Sequence, residues 1–208
     1  ELQRHLPVML QTLAMVRSAQ SGVSACIVLP SIHSADAARG FSLPPGLEVR
    51  VGNVAPALSR ADVALACTGT VMLECAYFGV PTVAIYRTSP ASFWIGKRLV
   101  QVKYLALPNL LAGAELFPEF IQNAATTENL TRAALDLLGH PERCRVIKDK
   151  LAQIVCSLGR PGASGRVEAS VRAEGAQDNP RLSLDGSARD VRWETYRVSE
   201  LSLAGKWQ

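Results

Sequence analysis

Two short segments hold residues whose types and order suit phosphate and sugar chemistry. The first is Thr68-Gly69-Thr70-Val71-Met72-Leu73-Glu74. A small, glycine-containing turn there separates an apolar strand pattern from a helical one. Free backbone N–H groups and the helix dipole at such a helix start suit an anion such as a phosphate. Glu74 lies one turn into the helix, where a carboxylate can accept hydrogen bonds from a ribose diol. The same spacing fits Thr70 as an ordinary N-cap with Glu74 as its capping-box partner, and spacing alone leaves both readings open. The second segment is Tyr86-Arg87-Thr88-Ser89-Pro90. Arg87 at the end of a strand can grip a diphosphate through two parallel hydrogen bonds, or it can be a solvated loop arginine.

Other candidates carry weaker signals. Phe93, Trp94 and Ile95 stand beside Lys97, Arg98 and Lys103. Aromatics mixed with positive charge suit an anionic membrane surface, and they equally suit a core-facing helix with a wet basic face. Asn109, in the irregular-looking run Pro108 to Gly113, can donate and accept at once, as a sugar or base edge requires. It can also stabilise a turn. His5 and His33 are weak acid/base candidates with no evident partner and read rather as surface histidines. Five cysteines are scattered singly with no CxxC, as expected of buried or neutral thiols in a reducing compartment. The three histidines stand far from any cysteine pair, so neither a metal nor a cofactor is expected.

The elements that must position these residues follow from periodicity. Leu2, Leu6, Met9, Leu10, Leu13 and Val16 predict an amphipathic helix over 2–19. Strands are expected over 25–29, 47–51, 62–67 and 81–86, with short helical pieces within 33–46 and 54–60. A helix over 71–78 is capped by Gly79. A helix is expected over 90–101, an irregular stretch over 103–113, and helical structure over 115–123. Thr126 or Thr127 caps a helix over 130–138, and Pro141 opens another that reaches Leu158. Strands separated by helices of this length imply an α/β fold, a Rossmann-like parallel sheet with helices on both faces. Such sheets bind ligands at the carboxyl ends of their strands, where both candidate segments lie.

Composition bounds the rest. The chain has 208 residues, enough for one domain and a remainder, and 48% are apolar, enough to fill a core. The net charge of +4 is too mild for a nucleic-acid binder with a clustered basic face. No apolar run reaches the roughly 18 residues a membrane span needs, and the opening residues do not read as a signal peptide. Glu1 opens directly into a helical pattern, so the true start is expected upstream. After Gly159 the composition turns polar, and residues 176–208 are expected to be a disordered extension with a short apolar docking segment near Leu201 and Trp207.

The run from Ala61 to Thr126, with the motifs Gly69-Thr70-x-x-Leu73-Glu74, Pro108-Asn109-Leu110-Leu111-Ala112-Gly113 and Pro118-Glu119-Phe120-Ile121-Gln122, closely resembles lipid-A-disaccharide synthase. The resemblance also takes in the opening helix and extends to about Gly175. It implies the C-terminal, nucleotide-sugar-binding lobe of a GT-B glycosyltransferase over residues 1–175. The family joins UDP-2,3-diacylglucosamine to 2,3-diacylglucosamine 1-phosphate with inversion, giving a β-1,6-linked disaccharide 1-phosphate and UDP. It implies the cytoplasmic face of the Gram-negative inner membrane as its place, where Phe93, Trp94, Lys97 and Arg98, read above from their composition, are the expected membrane contacts. Residue by residue, it places Thr68, Gly69 and Thr70 at the diphosphate, Glu74 at the donor ribose, and Asn109 and Gln122 in the donor site. Arg87 falls at a Lys/Arg position. No metal is implied, because basic side chains and a helix dipole can neutralise the UDP leaving group.

The family's Gly-Ser-Arg phosphate loop would precede Glu1, and its N-terminal lobe would supply the acceptor pocket and the general base. No catalytic residue is therefore expected in this chain, which reads as a C-terminal fragment inactive on its own. Residues 176–208 match nothing recognised in the family. Another UDP-sugar GT-B transferase or epimerase lobe, and a non-catalytic nucleotide-binding module, remain as alternatives, and a homodimer stays open.

Overall fold

The computed structural model describes residues 2–67, 69–89 and 103–158, together with the backbone of strands over 164–174, 181–193 and 196–207. The chain forms two compact units, Glu1–Ser157 and Leu158–Gln208.

The first unit alternates helices and strands. Its elements are α1 (Leu2–Ala19), β1 (Ala25–Leu29), α2 (Ile32–Ala38), β2 (Leu47–Val51), α3 (Ala55–Leu58), β3 (Ala64–Cys67), α4 (Val71–Tyr77) and β4 (Thr82–Tyr86). After them come α5 (Leu107–Ala112), β5 (Glu119–Ile121), a 3₁₀ turn (Gln122–Ala124), α6 (Thr127–Gly139) and α7 (Pro141–Ser157). The strands form two parallel sheets, β1-β2 and β3-β4-β5. The expected α/β architecture is present, a parallel-strand fold flanked by helices. On the helical side, α1 packs against α6, and α4 packs against α5 and α7.

β4 is the central strand of its sheet, and its composition reflects that. Thr82, Val83, Ala84 and Ile85 are all buried, as a strand covered on both faces must be. Thr82 tolerates this because its hydroxyl donates to Val80 O at 2.8 Å. Met72, Phe117, Leu130 and Leu151 complete the core from α4, the α5–β5 connection, α6 and α7. Helix ends follow the sequence closely. Thr126 Oγ1 accepts from Asn129 N at 3.2 Å and so caps α6. Gly79, at φ 64°, takes the left-handed position that ends α4.

Two expected segments differ. The irregular stretch expected over 103–113 contains the helix α5. Its Pro108 sits in the first turn, where a missing N–H costs nothing, and Gly113 at φ 63° terminates it. The helix expected over 115–123 is instead the strand β5 and a 3₁₀ turn. Leu116, Phe117, Phe120 and Ile121 fit a helical period over so short a run. However, Pro118 disfavours helix in the residue before it, and β4 offers a buried partner edge. The helix expected over 90–101 lies outside the described residues.

The second unit is an antiparallel meander of β6 (Ser164–Glu174), β7 (Arg181–Trp193) and β8 (Tyr196–Trp207). β7 and β8 fall within residues 176–208, the stretch expected to be a disordered extension. In register, Leu184 pairs with Val171, Leu182 with Trp207, and Gly186 with Leu203, while Ser183 pairs with both Arg172 and Lys206.

Candidate functional site

The parallel sheet β3-β4-β5 sets its carboxyl ends side by side. Cys67 pairs with Ile85, and Tyr86 with Ile121, so the loops after the three strands emerge at one edge. Gly69 and Thr70 follow β3, Arg87 to Ser89 follow β4, and Gln122 follows β5. Four of the residues singled out in the sequence therefore reach the same edge of one sheet.

The loop after β4 is held by contacts from distant parts of the chain. The Gln122 side-chain amide accepts from Thr88 N at 3.1 Å and donates to Thr88 O at 3.3 Å. It continues the β4–β5 ladder one step past the end of β5 with a side chain in place of a backbone. Gln122 itself has φ 51°, unusual for a residue with a Cβ, a strain of about 1 kcal/mol that the double contact offsets. On the other side, Arg87 N donates to His5 Nε2 at 3.1 Å, and Arg87 Nη1 donates to Arg4 O at 3.2 Å. His5 is only 6% exposed, which corrects its reading as a surface histidine.

These contacts surround an open depression of about 250 Å³ lined by Gln3, Arg4, Pro7, Arg87, Thr88, Gln122 and Asn123. It lies beside Gln3, Arg4 and Pro7 of α1. Among the described lining residues two are arginines and none is Asp or Glu. Such a surface favours an anion with several oxygen acceptors. Sequence reasoning found Arg87 and Gln122. It missed Gln3, Arg4 and Asn123, which carry no spacing signal and become neighbours only when α1 docks beside the sheet.

The turn after β3 stands at the neighbouring strand end. Gly69 has φ 142°, in the region glycine favours, while a Cβ there would meet nothing within 4 Å, so backbone shape alone calls for glycine. Thr70 makes no side-chain cap, and its carbonyl accepts from Leu73 N and Glu74 N at 3.0 and 3.3 Å. The capping-box alternative for Thr70 and Glu74 is therefore not what forms. Glu74 is exposed on α4, with no ion pair to another described residue. Neither it nor the Gly69-Thr70 turn lines the depression. Thr68, Phe93, Trp94, Lys97 and Arg98 lie outside the described residues.

Asn109 is the residue whose surroundings differ most from its expected place in a donor site. It is fully buried. Its Nδ2 donates to Phe117 O and Glu119 Oε1, both at 2.7 Å. Its Oδ1 accepts from Leu116 N and Phe117 N, both at 2.8 Å. All four of the amide's hydrogen-bonding positions are thus used within the protein. Glu119 also accepts from Leu105 N and Ala106 N at 2.8 and 2.9 Å, so the two side chains tie the start of α5 to β5. Asn109 acts here as the turn-stabilising asparagine that its residue type alone had allowed.

The cysteines show no disulfide among the described residues, and Cys26 and Cys156 are exposed where burial was one expectation. Burial pushes the Cys75 thiol up, with Glu74 adding to the shift and a hydrogen bond with Thr82 opposing it. Burial and Glu48 push Cys26 up, and burial likewise raises Cys144. These three thiols stay protonated near neutral pH. Among the described residues no three His, Cys, Asp or Glu side chains converge as metal ligands.

The folded core, the strand-end edge and the basic depression all belong to the part of the chain that similarity covers. A family model described as lipid-A-disaccharide synthetase matches residues 1–171. A lipid-A-disaccharide synthase of Alkalilimnicola ehrlichii is 34% identical over 177 residues, 83% of this chain and 46% of that protein. The like-named protein of Nitrosococcus oceani is 34% identical over 163 residues, 76% of this chain and 42% of that one. That of Syntrophus aciditrophicus is 38% identical over 123 residues, 59% of this chain and 32% of its own length. The chain spans less than half the length of these relatives. With the family model covering all of the first unit and the start of β6, this chain belongs to the lipid-A-disaccharide synthetase family.

Proposed function

We propose that residues 1–175 are the nucleotide-sugar-binding lobe of a lipid-A-disaccharide synthase with a GT-B architecture, acting in lipid A biosynthesis. In this reading the whole enzyme is an inverting glycosyltransferase. It transfers 2,3-diacylglucosamine from its UDP donor to 2,3-diacylglucosamine 1-phosphate, forming the β-1,6 link and releasing UDP. The observation that carries the reading is the open depression beside α1, whose described lining residues include Arg4, Arg87, Thr88 and Gln122 and no Asp or Glu. A departing UDP gains negative charge on its diphosphate. Guanidinium groups placed at that oxygen cluster stabilise the charge without a metal.

Within this lobe, Arg87 and the α1 turn face the diphosphate, with Thr68, Gly69 and Thr70 beside them and Glu74 reaching the ribose. Gln122 shapes the loop that presents Arg87, and Asn109 supports the site from the core. The acceptor pocket and the general base belong to the N-terminal lobe of the enzyme, so the present chain binds donor without turning it over. Phe93, Trp94, Lys97 and Arg98 meet the anionic surface of the inner membrane from its cytoplasmic side. Two features support that docking. No Asp or Glu occurs from Arg87 through Ala114. Leu105, Leu107, Leu110 and Leu111, which follow the basic segment, are exposed large apolar residues.

The test is calorimetric titration of the chain with UDP, wild type against Arg87→Ala. Loss of a charge-assisted contact is expected to weaken binding by about 2 kcal/mol. Equal affinities in the two proteins would remove Arg87 from the site. Disaccharide formation by the isolated chain would contradict the division of roles between lobes.

A further inference from the structure

We infer that His5 is a positioning residue of the diphosphate site, holding Arg87 in place through its Nε2. The inference rests on the nucleotide reading above and adds to it a residue that neither spacing nor family resemblance singled out.

The geometry is specific. Arg4 and His5 are consecutive on α1, and each takes one end of Arg87. The Arg4 carbonyl accepts from the guanidinium, and the His5 ring accepts from the Arg87 backbone N–H. Both contacts join residues more than eighty positions apart in sequence, so they form only when α1 is docked against the β4 end. Arg87 N is the first backbone donor beyond β4, where ladder pairing stops. Without His5 this part-buried donor would have to be satisfied in another way, and the loop would lose its tie to α1.

The two sides of the clamp are complementary. His5 fixes the backbone at residue 87, and Gln122 fixes both backbone groups of residue 88. The loop that carries the guanidinium is therefore ordered before a ligand arrives. A charged side chain on a pre-set loop loses less freedom on binding than one on a free loop.

The test uses the full 208-residue chain with His5→Leu and His5→Gln. Leucine fills space without an acceptor, and glutamine restores an acceptor oxygen at comparable reach. Two quantities are read: UDP affinity by calorimetry, and the hydrogen-exchange rates of the Arg87 and Thr88 amides by NMR without ligand. His5→Leu is expected to weaken UDP binding about tenfold and speed Arg87 exchange by at least as much, while His5→Gln stays within about threefold of wild type in both. Thermal melting of both variants accompanies the titrations. If His5→Leu does not fold, His5→Gln decides, because a packing role for the ring would leave it as weak as an unclamped loop. Wild-type affinity in His5→Leu overturns the inference, as does a His5→Gln protein that fails to hold the Arg87 amide. A wild-type chain that protects the Arg87 amide yet ignores UDP overturns the nucleotide reading itself, and His5's part in that site falls with it.

Discussion

Asn109 makes four hydrogen bonds inside the protein, two as donor and two as acceptor. Asn109→Ala would leave the N–H groups of Leu116 and Phe117 buried without partners and remove one partner of Glu119. Each orphaned group costs about 1–3 kcal/mol, so a loss of about 3 kcal/mol is expected in urea unfolding. A loss below 1 kcal/mol would mean that the amide is not structural. A residue type says which bonds a side chain can make and not which it makes. Asparagine in a turn-rich motif fitted a sugar contact and a turn brace equally well, and only the positions of Phe117 and Glu119 decide between them. His5 teaches the same lesson from the opposite side. Nothing around it in the sequence marks a partner, because its partner is Arg87, brought in by tertiary packing.

At the scale of elements, periodicity and punctuation carried most of the first unit. The expected strands 25–29 and 47–51 match β1 and β2, and the expected helix 2–19 matches α1. Gly79 was legible because a glycine between a helical pattern and a strand-starting proline has one common use. The structure gives a direct check on that use. A Cβ on Gly79 would lie 3.9 Å from Lys148 Cγ, an ordinary contact, so the cost of Gly79→Ala is that of backbone strain at φ 64° alone. The expected change is a destabilisation of about 1 kcal/mol, seen as a lower urea midpoint with an unchanged slope. No change would mean that α4 ends without the left-handed turn. The elements that were not legible, α5 and β5, are short, of six and three residues. Over such lengths period 3.6 and period 2 cannot be separated, and the decision passes to the β4 edge and the Asn109–Glu119 pair. The register of the β6–β8 meander is likewise a property of three aligned strands, and no single strand announces it.

At the scale of the whole molecule, the parts assigned to the site come from three regions far apart in sequence. The first turns of α1, the loop after β4 and the turn after β5 meet at one basic depression. The chain order β-α-β made a strand-end site predictable in general, whereas the participation of α1 depends on how the first helix packs against α6 beside the sheet. The most direct measurement of the central claim is a UDP titration followed by amide NMR on the intact chain in the presence of EDTA. The account predicts saturable shifts at residues 3–7, 69–71, 87–89 and 122–123, with no need for a divalent cation. Absence of shifts, or shifts gathered instead around Leu111, Lys150 and Ile154 at the α5–α7 groove, would contradict it.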